Sequence, residues 1–289
     1  MKISEKGFQY FLYAIIVVFT ALCVLPFWLV LVNSFASEGE FLKFGYRLWP
    51  AHFSFSGYEY LLRGAQIYKS YRNTVTVTIV GTVLAVAITA MFAYVIANPK
   101  VKYRHFLSLM AYVSMVLGSG LVGFYIMIAN WLDLKDSLWA MIVPYLLNPF
   151  YAFILVSFYR SLPYEINEAA TIDGAGDIHI FFRIIWPISK PAIATISLFY
   201  ALQYWNDWFL ALLFIDNDKL HPLQLMIRQL ISNINVASYV GGGASYQVSV
   251  PAGVIQLATV CLTIGPIILV YPFIQRYFVK GITIGAVKG

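Results

Sequence analysis

The stretch EAATIDGAGDIHIFFRIIWPISKP, residues 168–191, decides how the chain is organised. Its first sixteen residues hold Glu168, Asp173, Asp177 and Arg183, and long apolar segments lie on both sides. Just upstream, Pro163 stands where a helix can begin, because the donor that proline lacks is unused there. Residues 164–172 are good helix formers, with Glu165 and Glu168 early enough to complement the helix dipole. Asp173-Gly174 is a turn signal that ends this helix. A second segment, 177–186, sets Ile178, Phe181, Phe182 and Ile185 at helical spacing, and Pro187 and Pro191 bracket the return to apolar chain. The small pair Ala169-Ala170 leaves a low surface that can enter a groove on another protein. Periodicity alone leaves two readings open: a docking element for a soluble partner, or an amphipathic connector on a membrane surface.

The flanks settle the class. Of 289 residues, 61% are hydrophobic and 11% charged, with a mean hydropathy of +0.75. Soluble domains carry about 25% charged residues, so this is an integral membrane protein. The 17% aromatic content fits interfacial belts. The net charge of +6 matches cytoplasmic Lys and Arg rather than nucleic-acid binding, since no basic stripe with interleaved aromatics is present. Cys23 and Cys261 fall in apolar spans, and the four histidines are scattered, so neither a disulfide framework nor a metal site is expected.

Six spans are expected, at about 8–32, 73–97, 106–129, 137–159, 192–215 and 252–275, each long enough for a bilayer core of about 30 Å. The first is read as an uncleaved helix, because its apolar run exceeds that of a signal peptide and no A-x-A site follows. Residues 33–72 and 216–250 are expected as loops, the second containing Gly241-Gly242-Gly243. The third span holds Gly118, Gly120 and Gly123, which permit close helix contact or a bend. The side carrying the N-terminus, the 98–105 link, the 160–191 insert and the 276–289 tail has 11 basic residues, against 8 on the other. By the positive-inside rule both termini and the insert are cytoplasmic.

The fifth span is the polar one. Tyr200, Gln203, Tyr204 and Asp207 recur at steps of three and four and share a face, with Asn206 beside them. Tyrosine rings stack on sugars, and amides and carboxylates bond hydroxyls, so these five form a candidate substrate path. The competing reading ties Gln203, Asn206 and Asp207 to neighbouring helices or to a helix end. No G-x-x-x-x-G-K-[ST] run is present, so no ATP site is expected on this chain, and no nucleophile-base pair or paired carboxylates suggest an enzyme. A proton- or sodium-driven secondary transporter with Asp207 as its coupling carboxylate is the alternative.

The pattern E-A-A-x-x-D-G-A, followed by Phe181, Ile184, Pro187 and Pro191, resembles the signature loop of ABC importer membrane subunits. LFYALQYWNDWFLALLF (198–214) is similar to the fifth helix of maltose-type carbohydrate importers, and YFVKGITIGAVKG (277–289) looks like the tail of their second membrane subunit. PLQLMIRQL (222–230) resembles the branch serving complex oligosaccharides. One departure is Gly123, where that branch usually has proline. The resemblance implies an all-α type I importer fold whose coupling helix lies between the fourth and fifth spans. It assigns ATPase coupling to Glu168, Ala169, Ala170, Asp173, Gly174 and Ala175, and an ATPase-interface tail to Lys280, Gly281 and Gly285. It further implies a bacterial inner-membrane assembly with a homologous second membrane subunit, two ATPase subunits holding ATP and Mg, an extracytoplasmic solute-binding protein and an oligosaccharide substrate. In that family the partner membrane subunit can hold most substrate contacts. Basic residues of the expected outer loops, among them Lys43, Arg47, Arg63 and Lys219, raise the option of an acidic sugar.

Overall fold

A computed structural model of the chain describes residues 5–118, 120–240 and 253–266. Among these residues it is all helical, apart from an isolated antiparallel bridge between Ala36 and Phe53. The described residues divide into two units, the first formed by residues up to 67 together with those from 227 onward, the second by residues 68–226.

In the first unit, α1 (Glu5–Asn33) exposes every side chain from Phe8 to Phe27, a surface suited to lipid or to another protein. Asn33 closes it. Its amide donates to Leu29 O at 2.7 Å and Arg47 O at 2.8 Å, and its carbonyl accepts from Arg47 N at 3.0 Å. The expected loop over 33–72 is instead a folded cap containing α2 (Glu38–Phe44) and α3 (Ser56–Arg63), and α4 (Ala65–Ala97) begins eight residues before the expected span start at 73. Two carboxylates organise this cap. Glu40, 8% exposed, accepts from Ala51 N at 2.7 Å, His52 N at 3.1 Å and Arg47 Nη1 at 3.2 Å. Glu38 accepts from Gly253 N and Val254 N, both at 3.0 Å. Those amides open the helix at Gly253–Pro266, where a negative charge is favourable. That helix is the described part of the sixth expected span.

The second unit takes α4 from residue 68 onward, then α5 (Arg104–Val116) and α6 (Leu121–Ile126), which includes Gly123 and runs on as a π-helical turn over Met127–Trp131. Next come α7 (Trp139–Ile142), α8 (Pro149–Ser161), α9 (Glu165–Ile172), α10 (Asp177–Ile180), α11 (Trp186–Ile188), α12 (Lys190–Asn206) and α13 (Phe209–Phe214). Three expected spans are therefore interrupted: 106–129 after Val116, 137–159 between Tyr145 and Pro149, and 192–215 at Asp207-Trp208. Among the described residues two helices are long and apolar enough to cross a bilayer, or up to five spans if each bent pair counts as one. Helix also forms over Leu223–Val240 (α14), inside the expected 216–250 loop, because Leu223, Ile227 and Ile231 recur at helical spacing along it.

Packing in this unit is led by a stripe of small residues on α4. Gly81, Ala85, Thr89 and Ala93, each four apart, are all buried. Against the stripe lie two tyrosines of α12: a β-carbon at Gly81 would sit 2.7 Å from the Tyr204 ring, and Thr89 Oγ1 meets Tyr200 Oη at 2.6 Å. Close approach of this kind is how helices associate where lipid offers no hydrophobic gain. A second tie is polar. The Asp136 carboxylate accepts from Asp216 N at 2.7 Å and Asn217 N at 2.8 Å, and Lys135 Nζ pairs with Asp216 at 2.8 Å. Those backbone amides hold the Asp136 carboxyl below its usual range.

Gly81→Val should overpack the Tyr204 contact and cost about 1–3 kcal/mol, read as a lowered unfolding midpoint in detergent or nanodiscs. The Asp136 contribution has a defined sign. A depressed carboxyl stabilises fully above the ordinary Asp value of about 3.9 and loses that effect as pH falls through the lower folded value. Amide protection at Asp216 and Asn217, corrected for intrinsic exchange, should therefore hold through neutrality and drop in acid. Asp136→Asn should lack the acid-dependent drop; a variant that keeps it would contradict the clamp.

Candidate functional site

The 160–191 insert is built around one helix end. Leaving α8, the chain turns at Pro163, whose carbonyl accepts from Ile166 N at 3.3 Å, and enters α9. Tyr164 precedes α9 without a side-chain cap, so the acids of its first turn, Glu165 and Glu168, are its electrostatic complement. The other end is fully closed. Gly174 has φ +81°, its N–H reaches Thr171 O at 3.0 Å, and Ala175 N–H reaches Ala170 O at 2.9 Å. This pair of bonds is a Schellman motif, with Asp173 as the last half-helical residue and glycine in the left-handed position. The D-G-A run thus has a definite backbone task.

Of the six residues assigned to coupling, Glu168, Ala169, Asp173 and Gly174 are exposed. Ala170 is buried at 7% exposure and Ala175 is half-buried, so the small residues serve both outward clearance and inward packing. Ile172 and Ile178 stand out at 86% and 78% exposure and add apolar surface beside the acids. In the sequence Ile178 shares helical spacing with Phe181, Phe182 and Ile185. A π-helical turn over Phe181–Ile185 shifts the register, so the buried set is Ile180, Phe181 and Ile185.

Three residues that hold the insert were not singled out in the sequence. Tyr94, near the end of α4, donates to Asn167 Oδ1 at 3.1 Å and lies 5.2 Å from the Phe181 ring. Tyr159 meets the Tyr94 ring edge-on at 6.3 Å. Tyr94 and Asn167 are 73 residues apart, and no local pattern signals their pairing.

The fifth-span face is assembled differently from the expected sugar path. Tyr200 is 0% exposed, and its hydroxyl meets Thr89 and accepts from Asn148 N at 2.9 Å. Tyr204, 2% exposed, donates to Ile142 O at 3.0 Å. Asp207 accepts from Phe209 N at 3.2 Å, Leu210 N at 3.4 Å and Tyr145 Oη at 3.4 Å, closing the start of α13. Each of these side chains serves a break in a neighbouring or following helix, so neither tyrosine ring is open for stacking. Gln203 is half-buried, and its Oε1 has no hydrogen-bond partner among the described residues. Asn206 is exposed and accepts from Gln224 Nε2 at 3.4 Å. Gln224 is a polar residue that the sequence reading did not select.

Among the described residues no group of three or more His, Cys, Asp or Glu could hold a metal. Lys280, Gly281 and Gly285, and the run Gly241–Gly243, lie outside the described residues.

Residues 88–284 match the family described as binding-protein-dependent transport system inner membrane component. The chain is 36% identical to the Bacillus subtilis polygalacturonan/rhamnogalacturonan transport system permease protein YtcP, covering 99% of this chain and 100% of that protein. It is 30% identical to the diacetylchitobiose uptake system permease protein NgcG of Streptomyces coelicolor, covering 99% of this chain and 91% of that one. Its fold is similar to a chain in the crystal structure of a bacterial ABC transporter involved in the import of the acidic polysaccharide alginate. There the TM-score is 0.84 at 26% identity, covering 96% of this chain and 99% of that chain. These relationships displace the ion-driven alternative built on Asp207. The chain belongs to the family of inner membrane components of binding-protein-dependent transport systems, and is an ABC importer permease rather than an enzyme.

Proposed function

We propose that this chain is one membrane subunit, with six spans and cytoplasmic termini, of an ATP-driven oligosaccharide importer. In this reading it pairs with a homologous membrane subunit, two ATPase subunits holding ATP and Mg, and an extracytoplasmic solute-binding protein. The observation that carries it is the Schellman-closed α9, which presents Glu168, Asp173 and Ile172 outward while Ala170 and the Tyr94–Asn167 bond fix it to the body. A helix held this firmly moves as one piece with the elements it is bonded to, which suits transmission of rigid-body motion from an ATPase. ATP binding would draw the paired coupling helices together and turn the central cavity from inward to outward.

An acidic, polysaccharide-derived oligosaccharide is the substrate class we favour, in line with the polygalacturonan/rhamnogalacturonan relative and the alginate importer. The basic residues of the expected outer loops contribute less than their number suggests. Arg47 pairs with Glu40, Arg63 with Glu59 and Lys135 with Asp216. The amides of Asn206 and Gln224, with Gln203, are the groups of this chain we assign to a sugar's hydroxyls. Tyr200, Tyr204 and Asp207 would shape the wall behind them.

In reconstituted complexes, Glu168→Lys and Gly174→Pro should cut uptake at least about tenfold, the effect of losing about 1.4 kcal/mol of docking energy. ATP hydrolysis should then no longer track uptake, while the subunit remains inserted. Normal uptake by either variant sinks the coupling assignment. Stimulation of ATPase activity by the loaded binding protein should be greater for oligogalacturonate than for a neutral oligosaccharide of equal length; the reverse order would reject the acidic substrate.

A further inference from the structure

Beside the coupling helix lies a cavity of about 240 Å3, formed within the second unit where α4, α5, α8 and α9 meet. Its lining is mixed, with apolar Ala97, Pro99, Leu162 and Ile185 beside polar side chains rich in hydrogen-bond donors. Arg104 and Arg160 both line it, and neither forms an ion pair with a carboxylate among the described residues. Among the described residues the Arg104 guanidinium bonds only through Nε, to His105 at 3.4 Å. Asn98 spends its carbonyl oxygen on Lys100 N at 3.0 Å, and Asn167 spends its own on the Tyr94 hydroxyl, which leaves each side-chain NH2 without an acceptor among the described residues. Among the described residues no Asp or Glu lines the cavity.

A second observation is independent of charge. Tyr159 lines the same cavity, is 7% exposed, and its hydroxyl has no hydrogen-bond partner among the described residues. Leaving a buried hydroxyl unmet costs about 1–3 kcal/mol, so a group that reached it would stabilise this wall. An oxyanion with several acceptor oxygens and no donor of its own matches this wall. The volume lies below the roughly 300–1,000 Å3 of sites for drug-sized molecules, which suits a single phosphate group better than a nucleotide.

We propose that the cavity lined by Arg104, Arg160 and Tyr159 binds a phosphate group, supplied by an anionic phospholipid headgroup or by free phosphate. With the insert on the cytoplasmic side, as proposed above, the lipid source would be the inner leaflet, whose anionic surface would also attract the neighbouring Lys100 and Lys102. Asn167 belongs to α9, and Tyr164 adjoins its start and also lines the cavity, so an occupant braces the coupling helix against α4 and α8.

The test uses the assembled importer in nanodiscs of phosphatidylcholine, with or without phosphatidylglycerol, comparing wild type with Arg160→Gln and Tyr159→Phe. Native mass spectrometry should show phosphatidylglycerol retained by the wild type and held at least about tenfold more weakly by Arg160→Gln, the loss expected for one charged hydrogen bond. Tyr159→Phe, which removes only a hydroxyl, should fold and melt normally in phosphatidylcholine yet lose part of the stabilisation phosphatidylglycerol gives. Inorganic phosphate titrated into phosphatidylcholine discs separates the sources. Stabilisation by phosphate that is weaker in Arg160→Gln assigns a free anion, and stabilisation by phosphatidylglycerol alone assigns the headgroup. If both variants fold and match the wild type for lipid and for phosphate, the proposal is wrong; should Arg160→Gln misfold, Tyr159→Phe decides alone.

Discussion

Hydrocarbon offers no hydrogen-bonding partner, so every interruption of an apolar helix must be answered by the protein itself. In the second unit the polar residues of α12 give that answer. The break before α8 leaves Asn148 N, which finds the Tyr200 hydroxyl, while the Asn148 side chain accepts from Phe150 N at 3.0 Å. The end of α7 leaves Ile142 O, which finds Tyr204, and the start of α13 finds Asp207. One face of α12, with Asp207 just past its end, thus makes three discontinuities tolerable. Its tyrosines reach their targets because α4 carries small residues where the rings pass, with Gly81 the tightest point.

The same accounting explains which parts of the sequence were legible. The Asp173-Gly174 turn could be read locally, because the left-handed residue and both closing bonds lie within six residues, from Ala170 to Ala175. The apolar character of α1 and α4 could also be read, since composition over a long window needs no partner. The 33–72 cap could not, because its carboxylates work through backbone amides whose identity no side-chain pattern records. The fifth-span face was found by its spacing, but three of its members answer helix breaks, and the breaks themselves were invisible in continuous apolar runs. Helix α14 was passed over because glutamines, asparagines and Arg228 diluted its apolar periodicity. The packing face of the insert was misread by one residue class, since a π-helical turn alters the period on which the reading rests.

The insert combines a rigid interior with an exposed exterior of mixed chemistry. Acids, methyl groups and two isoleucines share a small surface, while an aromatic group of Tyr94, Tyr159 and Phe181 supports it from within. Support of this kind bears on the coupling role proposed for α9. A docking helix that could tilt on its own would absorb a partner's motion, whereas one bonded to α4 and closed at its end would pass the displacement on.

Glu38 has a consequence for how the protein is made. Its carboxylate is satisfied by amides at residues 253 and 254, more than two hundred positions later in the chain. During synthesis the cap after α1 therefore emerges long before the helix it closes exists. That contact is strongly non-local, of the kind that slows folding, and until it forms α2 carries an acid with no helix end to meet. The cap that follows α1 and the last described helix of this unit are thus joined late, by a carboxylate that waits for amides made far down the chain.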